Sequence, residues 1–261
     1  MQVTPDTLID DIESLTMTGR SLQKEIGVSE VGMACRRCVA RKLAGVEKQL
    51  VVSSFRTTIG RWAHEGLAHD LPLLPHHAEA QDLVIENGLI VHQYKDWTLK
   101  GSCDLFAPNL EWPGSGLVVD WKVVGDDTLE TTRKAVANGG APKEQYTVQG
   151  HLYGRGYEQL GYAVDDICIM MLPANKGNLR RDHVKYQYKY DPSVAALALA
   201  KIELLIDRAE TEGWDAVVHS IDPDPGCLSC PAYAVADNPQ RDLLLITKSK
   251  TPKKGHPHGI R

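Results

Sequence analysis

The chain has 261 residues, 43% apolar and 24% charged, with a formal net charge of −5. That is ordinary globular composition and excludes a chain disordered throughout. No apolar run approaches the ~18 residues of a membrane helix, and the polar, acidic start, Met1 to Thr16, does not read as a signal peptide. The expected compartment is therefore the cytoplasm. A net negative balance gives no whole-protein argument for nucleic acid, but it leaves room for a basic groove around an acidic centre.

In chain order, residues 5–17 read as a short amphipathic helix, with Thr4 as N-cap and Pro5 at its first position. Ser29 reads as the N-cap of a helix running through Cys35, Cys38 and Leu43. Ser53 and Ser54 precede a helix over roughly 55–70 that carries Trp62, His64 and Leu67, and Leu71-Pro72-Leu73-Leu74-Pro75 ends it. The pattern then switches to strands. Gln81 to Glu86 and Leu89 to Tyr94 flank Asn87-Gly88, a type I′ hairpin signal. Trp97 to Phe106 is the next strand, and a loop with Pro108 and Pro113 follows. Leu117 to Val124 is apolar apart from Asp120 and Lys122, which predicts a central strand buried on both faces. Residues 126–138 and Glu144 to Gln159 read as helices, Asp165 to Leu172 and Asp182 to Tyr190 as strands, and Ser193 to Thr211 as a long helix. The tail, Lys248 to Arg261, is basic and rich in Gly and Pro. It reads as a solvated end or as an arm that contacts DNA.

Four of the six cysteines form two C-x-x-C pairs, Cys35 with Cys38 and Cys227 with Cys230. In a reducing compartment disulfides are the poorer reading. Two such pairs supply four thiolates, which suits tetrahedral zinc or an iron–sulfur cluster. Local zinc modules place their pairs ~15–20 residues apart, whereas here almost the whole chain lies between Cys38 and Cys227. A shared metal would therefore clasp the two ends of the chain around a separate core. Cys103 and Cys168 lie in strand-like runs and read as core residues.

Polar residues also sit where the pattern predicts apolar structure. Asp120 and Lys122 share one face of a buried strand, and a carboxylate and an ammonium are costly to bury without partners. Lys122 is the sole lysine with an acidic residue two positions before it, yet the motif alone fits an internal ion pair. Asp104, late in the preceding strand, adds a second carboxylate. Two carboxylates that meet repel unless a cation stands between them. Mg²⁺ or Mn²⁺ takes such oxygens together with water and phosphate, and His64 could complete the set. Lys122 could then orient a water and offset charge growing on a phosphate, which makes phosphodiester hydrolysis feasible. Gln145, Gln149 and Tyr153 recur every four residues on one helix face, either as a polar stripe or as groups that position the site or touch DNA.

This order of residues resembles the PD-(D/E)XK nuclease superfamily, in particular the RecB-like domain and the small iron–sulfur exonucleases found beside CRISPR adaptation genes and in many phages. That family carries an early cysteine, a helix histidine, an aspartate, a D/E-x-K, a Q-x-x-x-Y and late cysteines. Here Cys35, His64, Asp104, Asp120 with Lys122, Gln149 with Tyr153, and Cys227 with Cys230 follow in that order. The resemblance implies an α/β restriction-endonuclease-like fold, with a central mixed sheet flanked by helices. It implies a divalent metal at His64, Asp104 and Asp120, and a 4Fe–4S cluster on Cys35, Cys38, Cys227 and Cys230. It also implies exonuclease activity on single-stranded DNA ends, 5′ to 3′. The family commonly has one early cysteine and three late ones; here Cys38 would supply the fourth ligand, and Zn²⁺ remains the alternative. On this reading 1–52 is an N-terminal helical segment, 53–215 the nuclease core, 216–240 the cysteine segment and 241–261 the tail.

A competing expectation is an accessory protein of DNA-end binding, recombination or CRISPR adaptation, with a stapled fold and no needed catalysis. A zinc hydrolase around His64 and His69 is disfavoured: zinc proteases space their histidines at i and i+4, and these are five apart.

Overall fold

The computed structural model describes residues 8, 26–47, 55–74, 84–109, 115–227, 229–231 and 233. The expected helix over 5–17 (Leu8 apart), its cap at Thr4, the caps Ser53 and Ser54, and the basic tail lie outside the described residues. The helices are α1 (Val28–Val31), α2 (Arg36–Leu43), α3 (Phe55–Asp70), α4 (Asp126–Ala137), α5 (Glu144–Gln159), α6 (Leu179–Asp182), α7 (Pro192–Glu212) and α8 (Trp214–Ser220). The strands are β1 (Val84–Tyr94), β2 (Trp97–Asn109), β3 (Ser115–Val124), β4 (Asp166–Pro173) and β5 (Val184–Lys189).

The strands form one mixed sheet in the order β1-β2-β3-β4-β5. Only β3 and β4 run parallel; the other neighbours are antiparallel. A parallel pair needs a crossover, and α4 and α5 supply it. One face of the sheet buries Leu89, Val91, Leu99, Phe106, Val118 and Ile167 against α5 and α7, which contribute Leu152, Tyr157, Leu199 and Ile202. Ile26, Val28 and Val31 at the start of the chain join the same core. The other face buries Leu105, Val119, Trp121 and Cys168 beneath Leu67 of α3 and Leu71 in the turn just after it. The fold is thus the expected mixed α/β class, a central mixed sheet flanked by helices, with β3 paired on both sides as its apolar pattern predicts.

The local differences have identifiable causes. Asn87-Gly88 does not turn the chain: β1 runs straight through it, with Asn87 opposite Cys103 and Gly88 opposite Ser102. The reversal comes at Lys95-Asp96, between the paired Tyr94 and Trp97, where Lys95 adopts φ 53°. Pairing of both flanks of Asn87-Gly88 with one partner strand overrides the local turn preference. Ser29 is no cap: Gly27 caps α1, and Cys35 begins a separate α2. The expected strand over Asp182 to Tyr190 is found, shorter, at Val184–Lys189, just after the short α6, and α8 was not among the expected elements.

Helix α5 lies so close to the sheet that only glycine fits at its contact points. A Cβ on Gly150 would stand 2.5 Å from Ile167 Cγ2 and 2.6 Å from the Tyr188 hydroxyl; one on Gly154 would meet the Tyr190 ring at 2.5 Å. This closeness seats Gln149 and Tyr153 against the sheet. Alanine normally gains about 1 kcal/mol over glycine inside a helix, but overpacking costs about 1–3 kcal/mol. Gly150→Ala should therefore lower the melting temperature by a few degrees. Gly66→Ala in α3, with nothing within 4 Å, should raise it slightly. Thermal unfolding of the two variants checks the contrast.

Candidate active site and metal centre

β2 and β3 pair from Asn109↔Ser115 to Leu105↔Val119, and there the ladder ends. One step further would set Asp104 opposite Asp120. Instead the strands part: the earlier half of β2 stays with β1, and β3 continues along β4. The Trp121 N–H donates to Asp104 Oδ2 at 2.8 Å, so a carboxylate oxygen takes the place of a ladder carbonyl. The other oxygen, Oδ1, lies 3.0 Å from Nδ1 of His64, delivered by α3 from the opposite face. Asp120 is 1% exposed at its side chain, with the Lys122 ammonium 2.8 Å from Oδ1 and 2.7 Å from Oδ2. Only the Oδ1 contact has hydrogen-bond geometry; Oδ2 is buried without a hydrogen bond of its own.

Burial pushes the Asp120 carboxyl up to about 6; Lys122 opposes that shift and nearby Asp104 adds to it. For His64, burial works against the imidazolium, but the hydrogen bond and charge of Asp104 prevail and raise its pKa. The strand fork therefore gathers two buried carboxylates, one imidazole and one ammonium. Hard divalent cations take such oxygen donors, and the unbonded Asp120 Oδ2 and the His64–Asp104 pair fit that use. His64, Asp104 and Asp120 are less tightly drawn together than the cysteine set described below, with Asp120 turned to Lys122.

Gln149 and Tyr153 are both buried on α5, and the Gln149 amide donates to the Tyr153 hydroxyl at 3.1 Å. The Tyr153 pKa is raised well above its ordinary value, chiefly by burial and then by the charge of Asp120. Gln145 points elsewhere and donates to the Ser29 carbonyl at 2.6 Å. Two contributors lay beyond the sequence reading. The Trp121 backbone amide carries no sequence signal. Tyr146, whose ring centroid is 5.5 Å from Lys122 Nζ, could have been suspected from its place three residues before Gln149. His69 is exposed and bonded to Asp70 at 2.8 Å, apart from His64.

The second centre joins the two ends of the described chain. Cys35 Sγ lies 3.4 Å from Cys230 Sγ, and Cys38 Sγ lies 3.4 Å from Cys230 and 3.5 Å from Cys227. All four ligand atoms fall within 4.8 Å of one another. Cys35 and Cys38 are presented across the first turn of α2, with the Cys38 N–H donating to the Cys35 carbonyl at 3.1 Å. The turn at Asp224 sets the later pair: its carboxylate accepts from the Gly226 N–H at 2.7 Å, and its carbonyl from the Cys227 N–H at 3.0 Å. Arg41 closes over the site, donating to the Cys230 carbonyl at 3.4 Å and lying 5.0 Å above the Tyr233 ring. Burial drives the Cys38 thiol far up; burial acts the same way on Cys35, but backbone and thiol hydrogen bonds overcome it and bring that group to about 7. A set of thiols this close becomes four thiolates only with a bound cation, so the donor chemistry fits a metal. Cys103 and Cys168 are buried core thiols, as expected.

No family model matches this chain, and no curated protein does. Solved structures similar to it include two exonucleases. One is an alkaline exonuclease from Laribacter hongkongensis, with a TM-score of 0.48 at 9% identity, covering 81% of this chain and 97% of its own. Another is a phage-related exonuclease from Haemophilus somnus 129PT, with a TM-score of 0.46 at 12% identity, covering 75% of this chain and 96% of its own. The functional reading rests on the side chains themselves.

The Asp120 shift has a measurable consequence. A carboxyl raised from 3.8 to about 6 holds its proton in the folded state at pH values where the unfolded chain has lost it. Folded protein then binds more protons than unfolded protein, so stability from this group is present below about pH 4 and lost as pH rises to about 6. The melting temperature of the metal-free wild type, measured relative to Asp120→Asn, should fall across that window. Parallel curves would show that Asp120 titrates normally.

Proposed function

We propose that the protein is a metal-dependent DNA exonuclease of the PD-(D/E)XK type, hydrolysing phosphodiester bonds at single-stranded ends in the 5′ to 3′ direction. The observation that carries this reading is the strand fork, where the His64–Asp104 and Asp120–Lys122 pairs come together. Its residues suit Mg²⁺ or Mn²⁺ held by His64, Asp104 and Asp120. When bound, the metal supplies Lewis acidity and lowers the pKa of a coordinated water.

The side chains have separable roles. Asp104 is fixed by the Trp121 amide and His64, so its carboxylate keeps one orientation. Lys122, 17% exposed, keeps its ammonium at Asp120, from where it would offset charge growing on the phosphate and orient the attacking water. Gln149 and Tyr153 brace each other beside Asp120 and shield it from bulk water. Digestion of end-labelled single strands with Mn²⁺ tests the reading. Asp120→Ala and Lys122→Ala should each slow cleavage at least about 10²-fold and leave the fold largely intact. Cleavage that survives both changes in clean protein would end the proposal. DNA-end binding without cleavage by the wild type would make the chain an accessory protein instead.

For the cysteine centre, the family resemblance supports a 4Fe–4S cluster, and the sulfur spacing favours a second reading. Zinc–sulfur bonds of ~2.3 Å define a tetrahedron with edges of about 3.8 Å, inside the observed spread, which runs from 3.4 Å to no more than 4.8 Å. In a four-iron cluster each thiolate binds a different iron, so the sulfurs must stand wider apart. Anaerobically purified protein should be brown, with broad visible absorption that Cys227→Ala removes; colourless protein with one zinc per chain selects the second reading. A structural zinc contributes roughly 10 kcal/mol to folding, and a cluster bound by the same four thiolates would likewise join both ends of the fold, so replacing either pair with serine should abolish soluble protein. Soluble, fully folded double variants would show that no such clasp operates.

A further inference from the structure

Lys122 carries its charge at the end of the longest stem among the groups gathered at the fork, four carbons with a compact ammonium, so its position depends on what holds that ammonium. Asp120 holds it from one side, touching the ammonium with both oxygens. That hold would weaken if Asp120 also bound the metal proposed above, since a carboxylate shared with a cation would attract the ammonium less. The face of an aromatic ring carries no such conflict. Tyr146 offers one, its centroid 5.5 Å from Lys122 Nζ, within the range of cation–π attraction. The ring is itself anchored, since Tyr146 packs against the buried cluster of Val124, Leu129, Ile169, Met171 and Val184 beneath α4. Lys143, exposed at the start of α5, lies 5.9 Å from the same centroid, which marks the ring as a place where cations gather.

Resting on the nuclease reading above, we propose that Tyr146 is a positioning residue whose ring holds the Lys122 ammonium in place for phosphodiester cleavage. The ring acts, not the hydroxyl, so phenylalanine should replace it and an aliphatic side chain should not. Full-length protein labelled at lysine Cε with ¹³C tests the contact without reference to activity; Lys122→Arg identifies the signal. The ε protons of Lys122 should be shifted upfield by the ring in wild type and in Tyr146→Phe, and should return to the ordinary lysine position in Tyr146→Leu. With Mn²⁺ and end-labelled DNA, Tyr146→Leu should lower kcat about tenfold and leave KM within about twofold, and Tyr146→Phe should match wild type. An unmoved Lys122 signal in Tyr146→Leu, or equal slowing in both variants, overturns the proposal. Wild type that cleaves no DNA but shows the ring shift refutes the nuclease reading and leaves the contact established. Should Tyr146→Leu fail to fold, Tyr146→Met carries the same comparison.

Discussion

Two carboxylates, Asp104 and Asp120, are buried where β2 and β3 separate, and the architecture around them follows from giving each a partner. In a continuous ladder they would face each other across the strands, where like charges repel and burial penalises both. The fork relieves this. It frees the Trp121 amide to bond Asp104 and admits His64 from the helix on the far face. Lys122, two residues along the same strand, pairs with Asp120 from the near face and hydrogen-bonds its Oδ1. Each charge is thereby compensated by a different element: a strand backbone, a helix side chain and a strand side chain.

The rest of the molecule packs around that fork. Helix α5 presses against the sheet through Gly150 and Gly154 and brings Gln149, Tyr153 and Tyr146 to the same region. Trp121, on the opposite side of β3, joins Leu105 and Val119 under α3, which fixes the helix that carries His64. The cysteine centre lies outside this arrangement and serves it mechanically. It ties α2 to the turn after α8, and α1, just before α2, contributes Val28 and Val31 to the core beneath the sheet. With the metal proposed above in place, a clasp spanning this much chain would remove much unfolded-state freedom.

Much of this was legible in the sequence. The C-x-x-C pairs announce themselves by spacing, and Asp120 and Lys122 stand out as charges in an apolar strand. Helix α7 buries one stripe, Ala195, Ala198, Leu199, Ile202 and Leu205, and β3 buries residues on both faces, so their patterns are plain in the sequence. Turn chemistry was less reliable. Asn87-Gly88 is a local preference worth little against a full row of strand pairing on both sides of it. The boundary between α1 and α2 was hidden because both halves contain apolar residues for the same core.

The residue types and their order along the chain therefore established by themselves which groups could do chemistry: four thiols, two carboxylates, an imidazole and a lysine. Only the tertiary structure decided how they are partnered: His64 with Asp104, Asp120 with Lys122, Lys122 with Tyr146, and each early cysteine with late ones. The physical reason is that spacing along a strand or helix specifies a face, but not what will be folded against it. Where a ladder ends and which backbone amide it leaves free depend on the packing of the whole sheet, and no short stretch of sequence encodes that.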